Sequence, residues 1–166
     1  GAVGHCDGVA VLESDVNLAV RAELTTLLTN AGATAYPVAP LSSRKARVAD
    51  AESAGSDVLI SIHHNSSSNT SADYTQSFVT QKNDKEFAKH IHPLLVLAFG
   101  PDRGIKNDGY GMTVYGSLPG VLTEAYFITN TNAACAFLNY RAGMPNTRVQ
   151  KEAQAMYNGL LAYFSR

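Results

Sequence analysis

Four side chains that could perform acid–base or metal chemistry lie at or beside the ends of predicted strands and helices. His5 is near the N-terminus, and Glu13 directly precedes a helical pattern. His63 ends one apolar strand pattern, and Glu124 lies inside another. Ligands of α/β sheets gather at the carboxyl ends of strands, so this placement suggests a site. Each residue also has an ordinary explanation, such as a helix-start carboxylate for Glu13 or a structural salt bridge for Glu124.

Two imidazoles and a carboxylate together form a usual ligand set of catalytic zinc. Three protein ligands leave one position for water, whose acidity the metal increases. A separate carboxylate can then act as the general base, and later return the proton to the leaving group. Glu124 suits that second role, because burial in an apolar strand raises the pKa of a carboxyl group. The residue types therefore predict metal-assisted hydrolysis.

The elements that must position these residues alternate between helix and strand. Helical patterns cover residues 14–32, 42–54, 83–99, 132–140 and 147–164, and strand patterns cover residues 34–38, 57–63, 75–81, 112–115 and 121–127. Ser14 and Asp15 are the expected N-caps of the first helix. Residues 66–73 and 102–111 are predicted loops. The fold class is α/β, with a single mostly parallel (mixed) central sheet of about five to six strands and helices on both faces.

The amino-acid composition limits the classes of partner that the chain is expected to bind. The chain has 166 residues, of which 45% are apolar, and 13 basic residues nearly balance 14 acidic ones. No strong field favours nucleic acid or an anionic membrane surface, and no apolar run approaches the roughly 20 residues of a membrane span. Cys6 and Cys135 are too few for a disulfide framework or an all-thiolate zinc site, and both one disulfide and two free thiols are open.

Five segments resemble, in order, those of the zinc-dependent N-acetylmuramoyl-L-alanine amidases, the type-3 amidase family. They are residues 12–18 with Glu13, residues 41–51 with Arg47, Ser-Ile-His-His-Asn at 61–65, Arg-Gly-Ile-Lys at 103–106, and residues 119–130 with Glu124. The segments at 61–65 and 119–130 are the specific ones. The resemblance implies that Glu13 and His63 are zinc ligands and that Glu124 is the catalytic base and acid. His64 should point away, because successive strand residues face opposite sides.

The third ligand has two interpretations. Gly4-His5 resembles the family's first zinc histidine, which would make His5 a ligand with a shortened loop before Glu13. However, Gly-Ala-Val-Gly at residues 1–4 resembles a family segment that follows that histidine. In this second case the first strand and its histidine precede Gly1, and His5 is an exposed loop residue.

The family resemblance implies hydrolysis of the amide between N-acetylmuramic acid and L-alanine in peptidoglycan, with one Zn²⁺ per chain. Residues 1–166 would form a single catalytic domain, expected to be a monomer without membrane insertion. Asn65 and Arg103 are candidate contacts to peptide carboxylates, although Arg103 and Lys106 also fit solvated surface charge. Action would be extracellular, periplasmic or at the cell wall, by a host or phage-encoded enzyme. The alternatives are a non-catalytic peptidoglycan-binding module and a zinc peptidase acting within the stem peptide.

Overall fold

The computed structural model describes residues 1–165, which form six strands, five α-helices and one 3-10 helix. The strands are β1 (Val3–Cys6), β2 (Val9–Leu12), β3 (Leu59–Asn65), β4 (Thr75–Val79), β5 (Asp102–Asn107) and β6 (Gly120–Phe127). The α-helices are α1 (Glu13–Asn30), α2 (Arg44–Ser53), α3 (Lys82–Phe99), α4 (Thr131–Arg141) and α5 (Arg148–Phe164), and the 3-10 helix is Gly111–Val114. All five predicted helices are thus confirmed.

The central sheet has four strands in the order β3-β6-β4-β5. The pairs β3–β6 and β4–β5 are parallel, and β4–β6 is antiparallel. Strands β1 and β2 form a separate antiparallel hairpin. The α/β class and the mixed sheet are therefore confirmed, but the prediction of about five to six strands in one sheet is wrong.

Three local predictions account for this difference. Residues 34–38 contain no strand, which agrees with Pro37, because proline cannot donate to a ladder. Residues 112–115 begin in the 3-10 helix, where Gly111 has a φ of +69°. The predicted loop 102–111 instead contains the edge strand β5, most of whose residues are exposed or half-buried. The polar composition of these residues does not indicate a strand. An edge strand pairs with only one neighbour and can leave its side chains exposed, so it needs no apolar face.

Helices pack on both faces of the sheet. Leu59 of β3 forms a small core with Val48 and Ala51 of α2. The adjacent Ile60 packs instead against the main core, which holds buried residues of α1, α3 and α5. Successive strand residues face opposite sides, so α2 covers one face and the main core covers the other. The prediction of helices on both faces is confirmed.

The hairpin leads directly into the first helix and so positions Glu13. Strand β2 ends at Leu12, which is the N-cap of α1 and makes no side-chain cap bond. Glu13 is the first helical residue, and its backbone N–H donates to the carbonyl of Ala2 at 3.0 Å. The expected caps Ser14 and Asp15 are wrong, because the helix begins before them.

A disulfide between Cys6 and Cys135 ties the hairpin to α4. Gly4 lies so close to the carbonyl oxygen of Ile128 that a Cβ there could not be accommodated. The sequence left open either one disulfide or two free thiols, and the structure contains the disulfide.

Among residues 1–165, no helix combines the length and apolar character that crossing a bilayer requires.

Candidate active site

A polar pocket lies where β3 ends beside β6 and the first turn of α1. Its lining residues are Gly1, Ala2, Glu13, His63, His64, Asn65, Ser66, Tyr110 and Glu124. His63 and Glu124 are direct neighbours in the register of the parallel pair β3–β6. Three of the four residues singled out by type and placement therefore meet in one pocket.

Glu13 is held as a carboxylate by several donors. Its Oε1 lies 3.0 Å from Nδ1 of His63 and accepts the backbone N–H of His64 at 3.3 Å, while Oε2 accepts the backbone N–H of Ala2 at 2.8 Å. Burial alone would raise the pKa of Glu13, but these hydrogen bonds and the nearby His63 together lower it to about 2. Hydrogen bonds of this kind favour the charged form. Glu13 is thus ionised at any ordinary pH.

Glu124 has the opposite environment. Its Oε2 is buried and has no hydrogen-bond partner among residues 1–165. Burial raises the pKa of Glu124 to about 7, with nearby His63 opposing the rise and Glu13 adding to it. Two carboxylates in one pocket with pKa values pushed apart are typical of a site in which one stays charged and the other exchanges a proton.

The pairing of β3 with β6 contains a β-bulge directly after His63 and Glu124. His63 pairs with Glu124, but Asn65 pairs with Phe127, so two residues of β6 oppose one residue of β3. Such a bulge re-aims side chains. Tyr126 lies within this bulge, and its ring packs against the ring of His64, with centroids 4.4 Å apart.

His64 points away from the pocket, as predicted from strand alternation. Its side chain is fully buried. Nδ1 lies 2.7 Å from Oδ1 of Asn17 in α1, and Nε2 donates to Oε2 of Glu152 in α5 at 2.9 Å. Only the backbone of His64 approaches Glu13.

Two candidates are not brought to the pocket. His5 lies on β1, is exposed, and pairs with Ala10 of β2. Arg103 lies on exposed β5, with its guanidinium 5.2 Å from the centroid of the Tyr74 ring. Neither residue lines the pocket, whereas Asn65 does.

The donors available to a metal in the pocket are Glu13 and His63, whose facing atoms are 3.0 Å apart. Within the described part of the chain, one group of three metal-binding side chains has its donor atoms within 4.8 Å of one another, and it consists of Cys6, Asp7 and Cys135. The two sulfurs are joined in a disulfide and are not thiolates, so this group is a poor metal site. The pocket therefore supplies two of the three expected zinc donors.

Sequence reasoning missed several residues that shape the site. The backbone of Ala2 and the side chains of Ser66 and Tyr110 carry no distinguishing pattern. Glu152 did carry one, because it is a charged residue on the face of α5 that buries Val149 and Met156. A carboxylate on the apolar face of a predicted helix requires a partner.

A family model described as N-acetylmuramoyl-L-alanine amidase matches residues 1–161. The chain belongs to this family. Its relatives include the N-acetylmuramoyl-L-alanine amidase LytC of Bacillus subtilis (strain 168), which is 34% identical over 176 residues. That match covers 99% of this chain but 33% of LytC, so the chain spans about a third of that relative. YqiI of the same organism is 34% identical over 175 residues, which cover all of this chain and 79% of YqiI.

Solved structures support the same fold. The catalytic domain of CwlV, an amidase from Bacillus (Paenibacillus) polymyxa var. colistinus, superposes with a TM-score of 0.84 at 23% identity, covering 99% of this chain and 90% of that one. The amidase AmiC2 of Nostoc punctiforme gives a TM-score of 0.83 at 20% identity, covering 100% and 90%. At these identities the superpositions establish the fold of the amidase domain.

Proposed function

We propose that this chain hydrolyses the amide bond between N-acetylmuramic acid and L-alanine in peptidoglycan, with Glu124 as the general base and acid. The observation that carries the proposal is the buried, unpartnered Oε2 of Glu124 beside the Glu13–His63 pair. A pKa of about 7 lets Glu124 take up and return a proton near neutral pH. Family membership supports the scissile bond.

Glu13 and His63 would hold Zn²⁺, one ion per chain. Their carboxylate and imidazole donors are of the type that catalytic zinc uses, and they already converge from two different elements. Zinc bound there would supply Lewis-acid polarisation of the attacking water and of the scissile carbonyl. The charged state of Glu13 favours a cation, because its hydrogen bonds keep it deprotonated.

Glu124 would perform the proton transfers. As a carboxylate it accepts a proton from the attacking water, whose oxygen forms a bond to the lactyl carbonyl carbon. The carbon–nitrogen bond then breaks, and Glu124 donates the same proton to the departing alanine nitrogen. The products are a lactyl carboxylate on the sugar and a stem peptide with a free amino terminus. Asn65 lines the pocket and is a candidate substrate contact, while Arg103 could reach only parts of the stem peptide that extend beyond the pocket.

The identity of the third zinc donor can be tested at His5. His5 is exposed on the hairpin and does not line the pocket. Gly1 does line it, and a Cβ on Gly1 would lie 3.2 Å from Oε2 of Glu13. The second interpretation raised by the sequence, in which His5 is not a ligand, therefore stays a prediction beside the first. His5→Ala should leave zinc content unchanged in this case, and elemental analysis after gel filtration would show a loss of zinc if His5 is a ligand.

Peptidoglycan digestion tests the proposal. Mass spectrometry of the digest should show free L-alanine amino termini, and a chelator should abolish their release. Glu124→Gln should retain the fold and lose turnover, while Glu23→Gln, the same change at a carboxylate that bonds Tyr140 and does not line the pocket, serves as the matched control. Cleavage within the stem peptide would instead indicate a zinc peptidase, and sedimentation with cell wall without any cleavage would indicate a binding module.

The domain, location and assembly of this amidase follow from the same proposal. Peptidoglycan lies outside the cytoplasm, so action at the cell wall, in the periplasm or in the extracellular space is required of either a host or a phage-encoded enzyme. One catalytic domain over residues 1–166 and a monomeric state stay predictions, and size-exclusion chromatography with light scattering checks the second.

A further inference from the structure

A buried polar cluster lies behind the sheet, opposite the pocket, and takes no part in the proton transfers proposed above. It consists of Asn17, His64, Tyr126 and Glu152, which we call the buried cluster. The side chains of His64 and Glu152 are both 0% exposed and meet at 2.9 Å. Asn17 contacts the other ring nitrogen of His64 at 2.7 Å, and the ring of Tyr126 packs on it.

The members of the buried cluster are attached to the proposed catalytic residues through short stretches of backbone. Asn17 lies about one helical turn after Glu13 on α1. His64 directly follows His63, and its backbone N–H donates to Oε1 of Glu13. If the His64 ring were displaced, the backbone of His64 would move with it. That movement would shift the N–H that donates to Glu13, and it would also shift the adjacent residue His63.

Tyr126 extends the same connection to the base. It follows Glu124 across the bulge of β6, and its ring contacts both the ring of His64 and the guanidinium of Arg148, whose carbon is 5.0 Å from the Tyr126 centroid. Tyr126, in the strand that carries Glu124, thus packs on the His64 ring. The two nitrogens of that ring bond to side chains of α1 and α5.

Glu152 is poorly explained by stability alone. Oε2 accepts the bond from His64, and Glu152 also faces the hydroxyl of Tyr126, yet Oε1 is buried and makes no hydrogen bond of good geometry among the described residues. An unsatisfied buried oxygen disfavours folding, and a buried ion pair is often no more stable than well-packed apolar groups. What the carboxylate does provide is a directional bond that fixes the His64 ring.

We propose that Glu152 is a positioning residue, which acts through His64 to hold Glu13 and His63 in the arrangement needed for hydrolysis. The kinetic consequence rests on the proposed amidase function, whereas the geometric consequence does not. Outer partners of catalytic groups that orient them in this way typically contribute about 10–100-fold to activity or metal affinity.

Glu152→Gln is the decisive variant, because glutamine keeps the shape and one oxygen acceptor but removes the carboxylate. We expect kcat on peptidoglycan fragments to fall by about 10-fold or more, with KM changed by less than about twofold. The thermal midpoint should stay close to that of the wild type. A purely structural role would lower the thermal midpoint and leave kcat per folded molecule unchanged, and that result would overturn the proposal.

A readout on the metal-free protein separates this proposal from the amidase function. In protein with ¹⁵N-labelled histidine, the ring signals of His63 should shift in Glu152→Gln, although the hydrogen bond of Glu152 is to His64 and not to His63. Unchanged His63 signals would overturn the positioning role. Should the wild type prove inactive, the proposed function fails, and the NMR result alone decides the positioning role.

Asn17→Ala provides a second variant at a half-buried position, in case Glu152→Gln does not fold. It removes the other partner of the His64 ring, so the double variant should lose little more activity than the worse single variant. Glu23→Gln is the matched control, because its carboxylate accepts a bond from Tyr140 at 2.8 Å on the same helix α1 but away from the pocket. Equal losses in the control and in Glu152→Gln would refute the assignment.

Discussion

Glu124→Gln should stabilise the metal-free protein at alkaline pH and change its stability little in acid. The pKa of Glu124 is raised from 4.5 to about 7 in the folded protein. Between these values the folded state binds more protons than the unfolded state, so the free energy of unfolding of the wild type falls as the pH rises. Glutamine has no proton to lose, and the variant escapes this fall.

The size of the effect follows from the shift. The difference between 4.5 and about 7 is about 2.5 pKa units, and each unit corresponds to about 1.4 kcal/mol, which gives an upper limit of about 3.5 kcal/mol. The pocket is open to solvent on one side, so we expect about 2 kcal/mol above pH 7. The advantage of the variant should grow through the window between the two pKa values and be constant above it.

Urea unfolding of chelator-treated protein at a series of pH values from about 4 to 8 measures this directly. The quantity of interest is the difference in free energy of unfolding between Glu124→Gln and the wild type at each pH. Ser66→Ala is the control, since it alters the same pocket without removing a titrating group. Its difference from the wild type should not grow with pH in this way.

The pH profile of that difference decides the reasoning. A constant difference across the whole range would mean that Glu124 titrates near its ordinary pKa and that burial does not perturb it. A difference that shrinks with rising pH would mean that the folded state favours the carboxylate, and it would remove the basis for Glu124 as a base poised near neutrality.

Three further changes test the surroundings of the site. Glu13→Gln should destabilise the metal-free protein by about 1 kcal/mol at neutral pH, a value reduced for solvent screening. The pKa of Glu13 is lowered from 4.5 to about 2, so this loss should disappear as the pH falls through that window, which urea unfolding extended to about pH 2 would measure. Asp84→Ala should lower the free energy of unfolding by about 3 kcal/mol or more, because the buried Asp84 accepts three backbone N–H groups, including that of Gly120 at the start of β6; Asp84→Asn should lose less. Replacing Cys6 and Cys135 together by alanine should cost about 2–4 kcal/mol in chemical unfolding, because the disulfide closes a sequence separation of 129 residues; retention of full stability would contradict this.

Local pattern predicted the elements that the core requires. The apolar run before His63 and the almost wholly apolar run around Glu124 are confirmed as β3 and β6, because strands buried on both faces leave a strong signal. Residues 102–107 and the hairpin at the N-terminus were missed. Most of their residues are exposed, and only pairing with a neighbouring strand distinguishes them from loops.

The candidate site was partly readable for the same reason. Glu124 is conspicuous as a carboxylate in an apolar strand, and Ser-Ile-His-His-Asn at 61–65 resembles one family closely. His5 was the weak member, because a histidine beside a glycine says nothing about which way its strand faces. The hairpin register leaves His5 exposed, while Ala2 and Gly1 reach the pocket instead.

The sequence by itself determined the chemical inventory: an ionisable residue at the end of β3, another within β6, a helix next to Glu13, and the α/β class. Only the tertiary structure decided the states of these groups. Glu13 and Glu124 are the same residue type, yet three hydrogen bonds lower the pKa of one and burial without a partner raises that of the other. Contacts between residues as far apart as His64 and Glu152 arise from packing of the whole chain, and local sequence carries no record of which distant partner each buried polar group will meet.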